Sequence, residues 1–136
     1  MRYVEVKGLR VPALGFGTYR LAGAVCEHLV ETALGIGYRH VDTARMYANE
    51  IEVGRAIEAS GVRRDDIFLT TKIWMTDLAH DAVRRSVEDS LGKLRTGHVD
   101  LLLIHWPNPE IPMDETLRAL REVRERGLTR AIGVSN

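Results

Sequence analysis

The feature that most constrains the fold of this chain is a regular alternation of short β-rich runs with longer segments of helical period. The predicted strands cover residues 13–19, 38–43, 66–71, 99–104 and 129–134. Each intervening helix must return the chain to the same starting edge before the next strand begins. The alternation therefore predicts parallel strands joined by right-handed crossovers.

Four helices are predicted between these strands from apolar residues that recur on one face, and the second is expected to cover residues 49–60. The predicted inward-facing residues are, helix by helix, Val25, Leu29, Ala33 and Ile36; Ile51, Val53 and Ile57; Val83, Val87, Leu91 and Leu94; and Leu117, Leu120 and Val123. Ahead of the repeats, the runs 3–6 and 9–12 on either side of Lys7 and Gly8 predict a small β-hairpin.

Strict βα repeats fit either a doubly wound sheet or a barrel, and the repeat length favours the barrel. Polar or glycine residues mark the strand ends roughly every 30 residues, so eight units need roughly 240 residues, close to a typical (β/α)8 barrel. The 136 residues form one domain, residues 1–136. We predict an α/β fold of TIM-barrel type. The chain is expected to be the first half of that barrel, with four βα units and a fifth strand after the N-terminal hairpin.

The amino-acid composition argues against several classes of protein. Hydrophobic residues make up 45% and charged residues 28% of the chain, which is typical of a globular protein and not of a disordered one. Nineteen basic residues balance nineteen acidic ones, so no nucleic-acid partner is expected. No apolar run approaches the roughly 20 residues of a membrane span. The single cysteine, Cys26, is a passive helix residue and fits a reducing, cytoplasmic location.

Asp42, Tyr47, Lys72 and His105 lie at or just past the ends of three successive predicted strands. In a barrel those ends share the face that carries active sites. An Asp and a Lys on neighbouring strands can pair, and an ammonium beside a phenol stabilises the phenolate. Tyr47 would then serve as a proton donor near neutral pH, with His105 orienting a carbonyl oxygen by a hydrogen bond. Taken singly, each residue also fits an ordinary role, such as a solvated lysine, a near-core histidine or a helix-capping aspartate.

Five stretches in order along the chain resemble the successive signatures of the aldo-keto reductase family. They are residues 14–19 (LGFGTY), 42–50 (DTARMYANE), 71–74 (TKIW), 103–107 (LIHWP) and 132–136 (IGVSN). The resemblance implies a metal-free reductase of aldehydes and ketones that uses a nicotinamide cofactor, usually NADPH, with NADH possible. A Rossmann fingerprint is excluded because Arg20 stands where its third glycine belongs, and the histidines lack metal-ligand spacing.

The resemblance also assigns roles to single residues. Its catalytic tetrad is Asp42, Tyr47, Lys72 and His105, with Tyr47 as the proton donor. Its cofactor positions are Gly17, Thr18, Tyr19, Asp42, Ser135 and Asn136, and its aromatic pocket positions are Tyr19, Trp74 and Trp106. Core packing is the alternative interpretation of both tryptophans. In the family, most residues that hold the cofactor's phosphates come after the fifth strand.

Two hypotheses follow from the sequence. In the first, the protein reduces small carbonyl substrates, and the isolated chain is weak or inactive until a C-terminal half completes it. In the second, it is a non-catalytic half-barrel that self-associates through its open sheet edges as a homodimer or larger assembly.

Overall fold

The computed structural model describes residues 1–136 and begins with a β-hairpin. Strands β1 (Tyr3–Val6) and β2 (Leu9–Pro12) pair antiparallel, with Tyr3 opposite Pro12 and Val6 opposite Leu9. The two residues between them, Lys7 and Gly8, have φ angles of 47° and 79°, which is the backbone that tight hairpin turns need. The predicted hairpin is confirmed with its predicted bounds.

A five-stranded parallel sheet follows, with its strands in chain order. The strands are β3 (Phe16–Gly17), β4 (His40–Asp42), β5 (Phe68–Ile73), β6 (Val99–Ile104) and β7 (Thr129–Val134). The helices between them are α1 (Gly23–Gly35), α2 (Glu50–Ala59), α3 (His80–Leu94) and α4 (Met113–Glu125). This is the predicted α/β half-barrel, and β3 and β7 are its two edge strands. None of the helices is both long and apolar enough to cross a membrane.

Three of the five strands have bounds that differ from the prediction; the second, expected over residues 38–43, is only His40–Asp42. The first strand was expected over residues 13–19 but is only Phe16–Gly17, because Ala13 hydrogen-bonds back to Arg2 beside the hairpin. The third was expected over residues 66–71 but is Phe68–Ile73, because Arg64–Asp66 form a 3-10 turn that delays it. The delay brings Lys72 inside the strand, which is buried along its whole length.

The core lies between the helices and the sheet, and α3 packs on it as predicted. All four residues of its expected inner face, Val83, Val87, Leu91 and Leu94, are buried. On α2 and α4 the prediction holds except at Ile51 and Leu117, which are each 43% exposed; their predicted partners on those helices are buried.

The predicted inner face of α1 is wrong at three of its four residues. Only Ala33 is buried as predicted, and Leu29 is 36% exposed. Val25 and Ile36 are 60% and 74% exposed, whereas Cys26, Val30 and Leu34 are wholly buried. The segment carries apolar residues around most of its circumference, so periodicity does not select one face. Contact with neighbouring elements selects the Cys26 face, because α1 packs extensively against α2.

Candidate active site

Parallel pairing brings the four predicted catalytic side chains to one edge of the sheet. Asp42 is the last residue of β4, Lys72 lies near the end of β5, and His105 directly follows β6. Tyr47 ends a 3-10 turn, Arg45–Tyr47, which closes on Ala48 in a left-handed conformation with φ of 55°. Residues far apart in the sequence thus converge because the carboxyl ends of parallel strands share an edge.

Lys72 is the centre of the cluster and is only 6% exposed. Its Nζ donates to Asp42 Oδ1 at 2.6 Å, to the main-chain oxygen of Thr43 at 3.0 Å and to the hydroxyl oxygen of Tyr47 at 3.3 Å. An ammonium has three N–H groups, and each has an acceptor. Burial of an unpaired charge is costly, so this complete set of partners holds the ammonium in one place.

The hydroxyl of Tyr47 accepts one hydrogen bond and keeps its own hydrogen free. Its oxygen accepts from Lys72, and its own O–H donates to no group within the protein. The phenol ring lies 5.1 Å from the ring of Tyr19 and 5.6 Å, edge-on, from the ring of His105. A hydroxyl can accept and donate at once, so the free O–H is available to an oxygen bound beside these rings.

His105 is 8% exposed, and this burial is the main cause that lowers its pKa below the usual range. The nearby ammonium of Lys72 lowers the pKa further, while Asp42 opposes the change. The imidazole is therefore neutral near pH 7 and carries one N–H. Nδ1 is buried without a hydrogen-bond partner, so we assign the proton to Nε2, because a buried N–H without an acceptor is especially unfavourable.

Ser135 and Asn136, the predicted carboxamide-binding pair, follow β7 beside this histidine. The amide nitrogen of Asn136 donates to the main-chain oxygen of His105 at 3.2 Å and to Ser135 Oγ at 3.1 Å. A hydroxyl and an amide match the donors and acceptors of a carboxamide. Gly17, at the end of β3, has no atom within 4 Å of the place a Cβ would occupy. These residues fit the nicotinamide end of the expected cofactor.

The aromatic positions flank the tetrad to different degrees. The ring of Trp74 is half-buried and stands edge-on to His105 at 5.3 Å. Tyr19 and Trp106 are 54% and 47% exposed, so core packing does not describe Trp106. The site is an open surface lined by aromatic rings and is not an enclosed cavity.

The side chain of Thr18, one of the predicted cofactor positions, points into the protein. It is wholly buried, and its hydroxyl donates to Thr43 Oγ1 at 2.9 Å. The structure therefore keeps the side chain of Thr18 below the surface that carries the other cofactor positions. Thr43 and Asn49, which share its network, were not predicted as site residues; the only sequence signal was their place on either side of Tyr47.

The structure contains no group of three or more His, Cys, Asp or Glu side chains that is arranged to hold a metal ion.

Comparison with known proteins agrees with this arrangement. The sequence profile of the Aldo/keto reductase family matches residues 13–136. Methylglyoxal reductase DkgB of Escherichia coli O157:H7 is 50% identical over 130 residues, which cover 94% of this chain and 49% of the relative. An aldo-keto reductase of Mycolicibacterium smegmatis is 45% identical, with 95% of this chain and 47% of the relative covered.

Solved structures of aldo-keto reductases also resemble this chain. A thermostable aldo-keto reductase in complex with the inhibitor epalrestat superposes with a TM-score of 0.94 at 44% identity, over 100% of this chain and 54% of its own. The Bombyx mori aldo-keto reductase in complex with NADP superposes with a TM-score of 0.89 at 35% identity, over 98% of this chain and 50% of its own. The chain spans about half the length of the curated relatives it matches. On its sequence, its sheet and the side chains gathered at the sheet edge, it belongs to the aldo-keto reductase family.

Proposed function

We propose that the protein takes part in the NAD(P)H-dependent reduction of aldehydes or ketones to alcohols, with Tyr47 as the proton donor. One observation carries the proposal. The Tyr47 oxygen accepts a hydrogen bond from the buried ammonium of Lys72, while its own O–H is free beside a neutral His105. This arrangement suits proton transfer to an oxygen that becomes negatively charged.

The chemistry that a nicotinamide held at this edge would supply is hydride transfer to the carbonyl carbon. As negative charge develops on the carbonyl oxygen, Tyr47 donates its hydroxyl proton to it. The ammonium of Lys72 stabilises the phenolate that remains, and Asp42 keeps the ammonium in place at 2.6 Å. The Nε2–H of His105 donates to the same carbonyl oxygen and orients it toward Tyr47.

We propose NADPH as the cofactor, with NADH as the alternative. Support comes from the family and from the Bombyx mori relative, whose structure was solved with NADP. Gly17, Tyr19, Asp42, Ser135 and Asn136 are the residues of this chain that would hold its nicotinamide end. The substrate is a small carbonyl compound, and methylglyoxal is the first to assay because the relatives include methylglyoxal reductases.

We propose that the isolated chain of 136 residues has weak activity or none, and that a C-terminal half-barrel completes the enzyme. Hydride transfer requires a cofactor held close to the carbonyl. Two of the three aromatic pocket positions, Tyr19 and Trp106, are about half exposed, so the pocket lacks a second wall.

A second candidate function is that of a half-barrel module that self-associates without catalysis. The sheet ends at β3 and β7, which each pair on one side only, and Val134 on β7 is 68% exposed. Apolar residues on the outer face of α1 are exposed as well, among them Val25 and Ile36. Such edges and faces bind other copies of the chain readily.

We also propose a cytoplasmic location, which agrees with the unpaired, buried Cys26.

The test of catalysis is NADPH oxidation with methylglyoxal, run on the wild-type chain and on Tyr47→Phe, each alone and mixed with a C-terminal half-barrel taken from a relative. We expect turnover in the wild-type mixture and a loss of at least roughly 100-fold in Tyr47→Phe, since the phenol is the acid. Thermal unfolding of the variant should stay close to that of the wild type. A Tyr47→Phe mixture with near-normal turnover would disprove the assignment of the donor.

A further inference from the structure

A buried polar network connects the loop that carries Tyr19 with the loop that carries Tyr47, and the reaction steps above do not use it. Its members are Thr18, Thr43 and Asn49, whose exposed fractions are 0%, 0% and 1%. Polar side chains at such depth are stable only when hydrogen bonds replace the water they have lost. The network therefore depends on its internal pairing.

The side-chain amide of Asn49 is bonded at both ends. Its Nδ2 donates to the main-chain oxygens of Thr18 at 2.8 Å and Leu21 at 3.0 Å. Its Oδ1 accepts from Thr43 Oγ1 at 3.0 Å, and Thr43 Oγ1 accepts in turn from Thr18 Oγ1 at 2.9 Å. One side chain thus joins the loop after β3 to the loop after β4.

Thr43 extends the network to the catalytic lysine. Its main-chain oxygen accepts from Lys72 Nζ at 3.0 Å, and its main-chain N–H donates to the oxygen of Thr70 at 2.9 Å. The side chain and the backbone of Thr43 are thus held by different partners. A shift of its hydroxyl would move the carbonyl that directs the ammonium.

We infer that Thr43 and Asn49 are positioning residues for the proposed reaction. They hold residues 18–21 and 43–49 as one unit. The Tyr19 ring, the Tyr47 hydroxyl and the Lys72 ammonium therefore keep fixed positions relative to one another. The contact of the Tyr19 and Tyr47 rings at 5.1 Å lies between the two loops that the network joins. The catalytic part of the inference rests on the proposed function, whereas the coupling of the two loops rests on the network alone.

A matched pair of substitutions isolates the hydroxyl. Thr43→Val keeps the shape of the side chain but leaves Asn49 Oδ1 without a donor and the Thr18 hydroxyl without an acceptor. Thr43→Ser keeps the hydroxyl and removes only a methyl group. Neither substitution removes the main-chain oxygen that accepts from Lys72.

The first measurement is amide hydrogen exchange on the whole chain. The N–H of Leu21 bonds to Thr18 and the N–H of Tyr47 bonds to Ala44, one in each loop. In Thr43→Val we expect both amides to exchange roughly tenfold faster, and Thr43→Ser to restore the wild-type rates. The amide of Leu102 in β6 is the internal reference and should not change. Unchanged exchange, a change in one loop only, or an equal increase at Leu102 would each overturn the inference.

The second measurement separates positioning from binding. Where the wild-type protein, completed by its C-terminal half, turns over, we expect Thr43→Val to lower kcat roughly tenfold and to leave KM within about twofold, with rescue by Thr43→Ser. A raised KM at constant kcat would overturn the positioning role. Absence of wild-type turnover would count against the proposed function instead, and the exchange experiment would still decide the coupling of the loops.

Discussion

At the scale of single residues, the site depends on Lys72, a buried charge whose three hydrogens all have acceptors. Two of these acceptors belong to residues that the sequence analysis named, Asp42 and Tyr47, because their side-chain types point to that chemistry. The third is the main-chain oxygen of Thr43. Every residue type has a main-chain oxygen, so the sequence does not indicate which one will accept. The sequence therefore predicted the contacts of Lys72 with Asp42 and Tyr47 but not its third hydrogen bond, to the main chain of Thr43.

The charge state of His105 is the first prediction at this scale. Because burial lowers its pKa, we expect the imidazole to stay neutral as the pH falls below about 6.5, the usual value, and to protonate only at lower pH. The hydrogen bond that we propose from its Nε2 to the carbonyl substrate does not require the charged form. NMR titration of the His105 ring protons measures the midpoint directly.

The same titration in Lys72→Met tests the second cause of the shift. Removal of the ammonium leaves burial in place and leaves Asp42 unopposed, so the pKa of His105 should rise relative to the wild type. Lys93→Met is the matched control, because Lys93 pairs with Asp89 on the surface of α3 and is absent from the causes of the shift. An unchanged midpoint in Lys72→Met would contradict the electrostatic account of the site.

At the scale of elements, α2 and α3 approach so closely at Gly54 that no side chain fits. A Cβ there would lie 2.5 Å from the main-chain oxygen of Lys93 and 2.9 Å from the Cα of Leu94. Both atoms belong to backbone, which cannot move aside as a side-chain end can. The glycine thus sets the distance between the helix that follows the Tyr47 turn and its neighbour.

Gly54→Ala should therefore lower the free energy of unfolding by about 2 kcal/mol or more, because the helices must separate to admit the methyl group. Gly92→Ala on α3 is the control, since nothing lies within 4 Å of its Cβ position. There the higher helix propensity of alanine should raise the free energy of unfolding by up to about 1 kcal/mol. Urea unfolding followed by circular dichroism measures both; equal effects would refute the packing argument.

The helices also show where periodicity is sufficient and where it is not. The apolar residues of α3 lie on one side, among charged residues, so the sequence predicts its buried face correctly. The apolar residues of α1 surround the helix, and the predicted face, with Val25 and Ile36, proves to be exposed. A pattern specifies a buried face only when the remaining faces are polar.

At the scale of the whole molecule, the half-barrel leaves two strand edges and several apolar side chains exposed. We expect the isolated chain to form a homodimer or larger assembly through these surfaces. Light scattering at micromolar concentration should give a mass well above 15.3 kDa. Ile36→Lys combined with Val134→Lys should shift the mass toward that of the monomer, because charged side chains protect open edges and apolar faces. Glu31→Lys, a substitution on the exposed surface of α1, is the control for added charge alone. A wild-type sample that scatters as a monomer would contradict the expectation.

The sequence by itself determined the alternation of strands and helices and the barrel type of the fold, and it singled out the four residues proposed as the tetrad, because periodicity, repeat length and residue type are local properties of the chain. Only the tertiary structure decided that Thr18 lies inside, that Thr43 and Asn49 join two loops, and which face of α1 is covered. The burial that lowers the pKa of His105 was decided at the same level. Burial, hydrogen-bond partners and pKa values depend on what distant segments bring into contact, and that contact exists only once the sheet has brought its strand ends together.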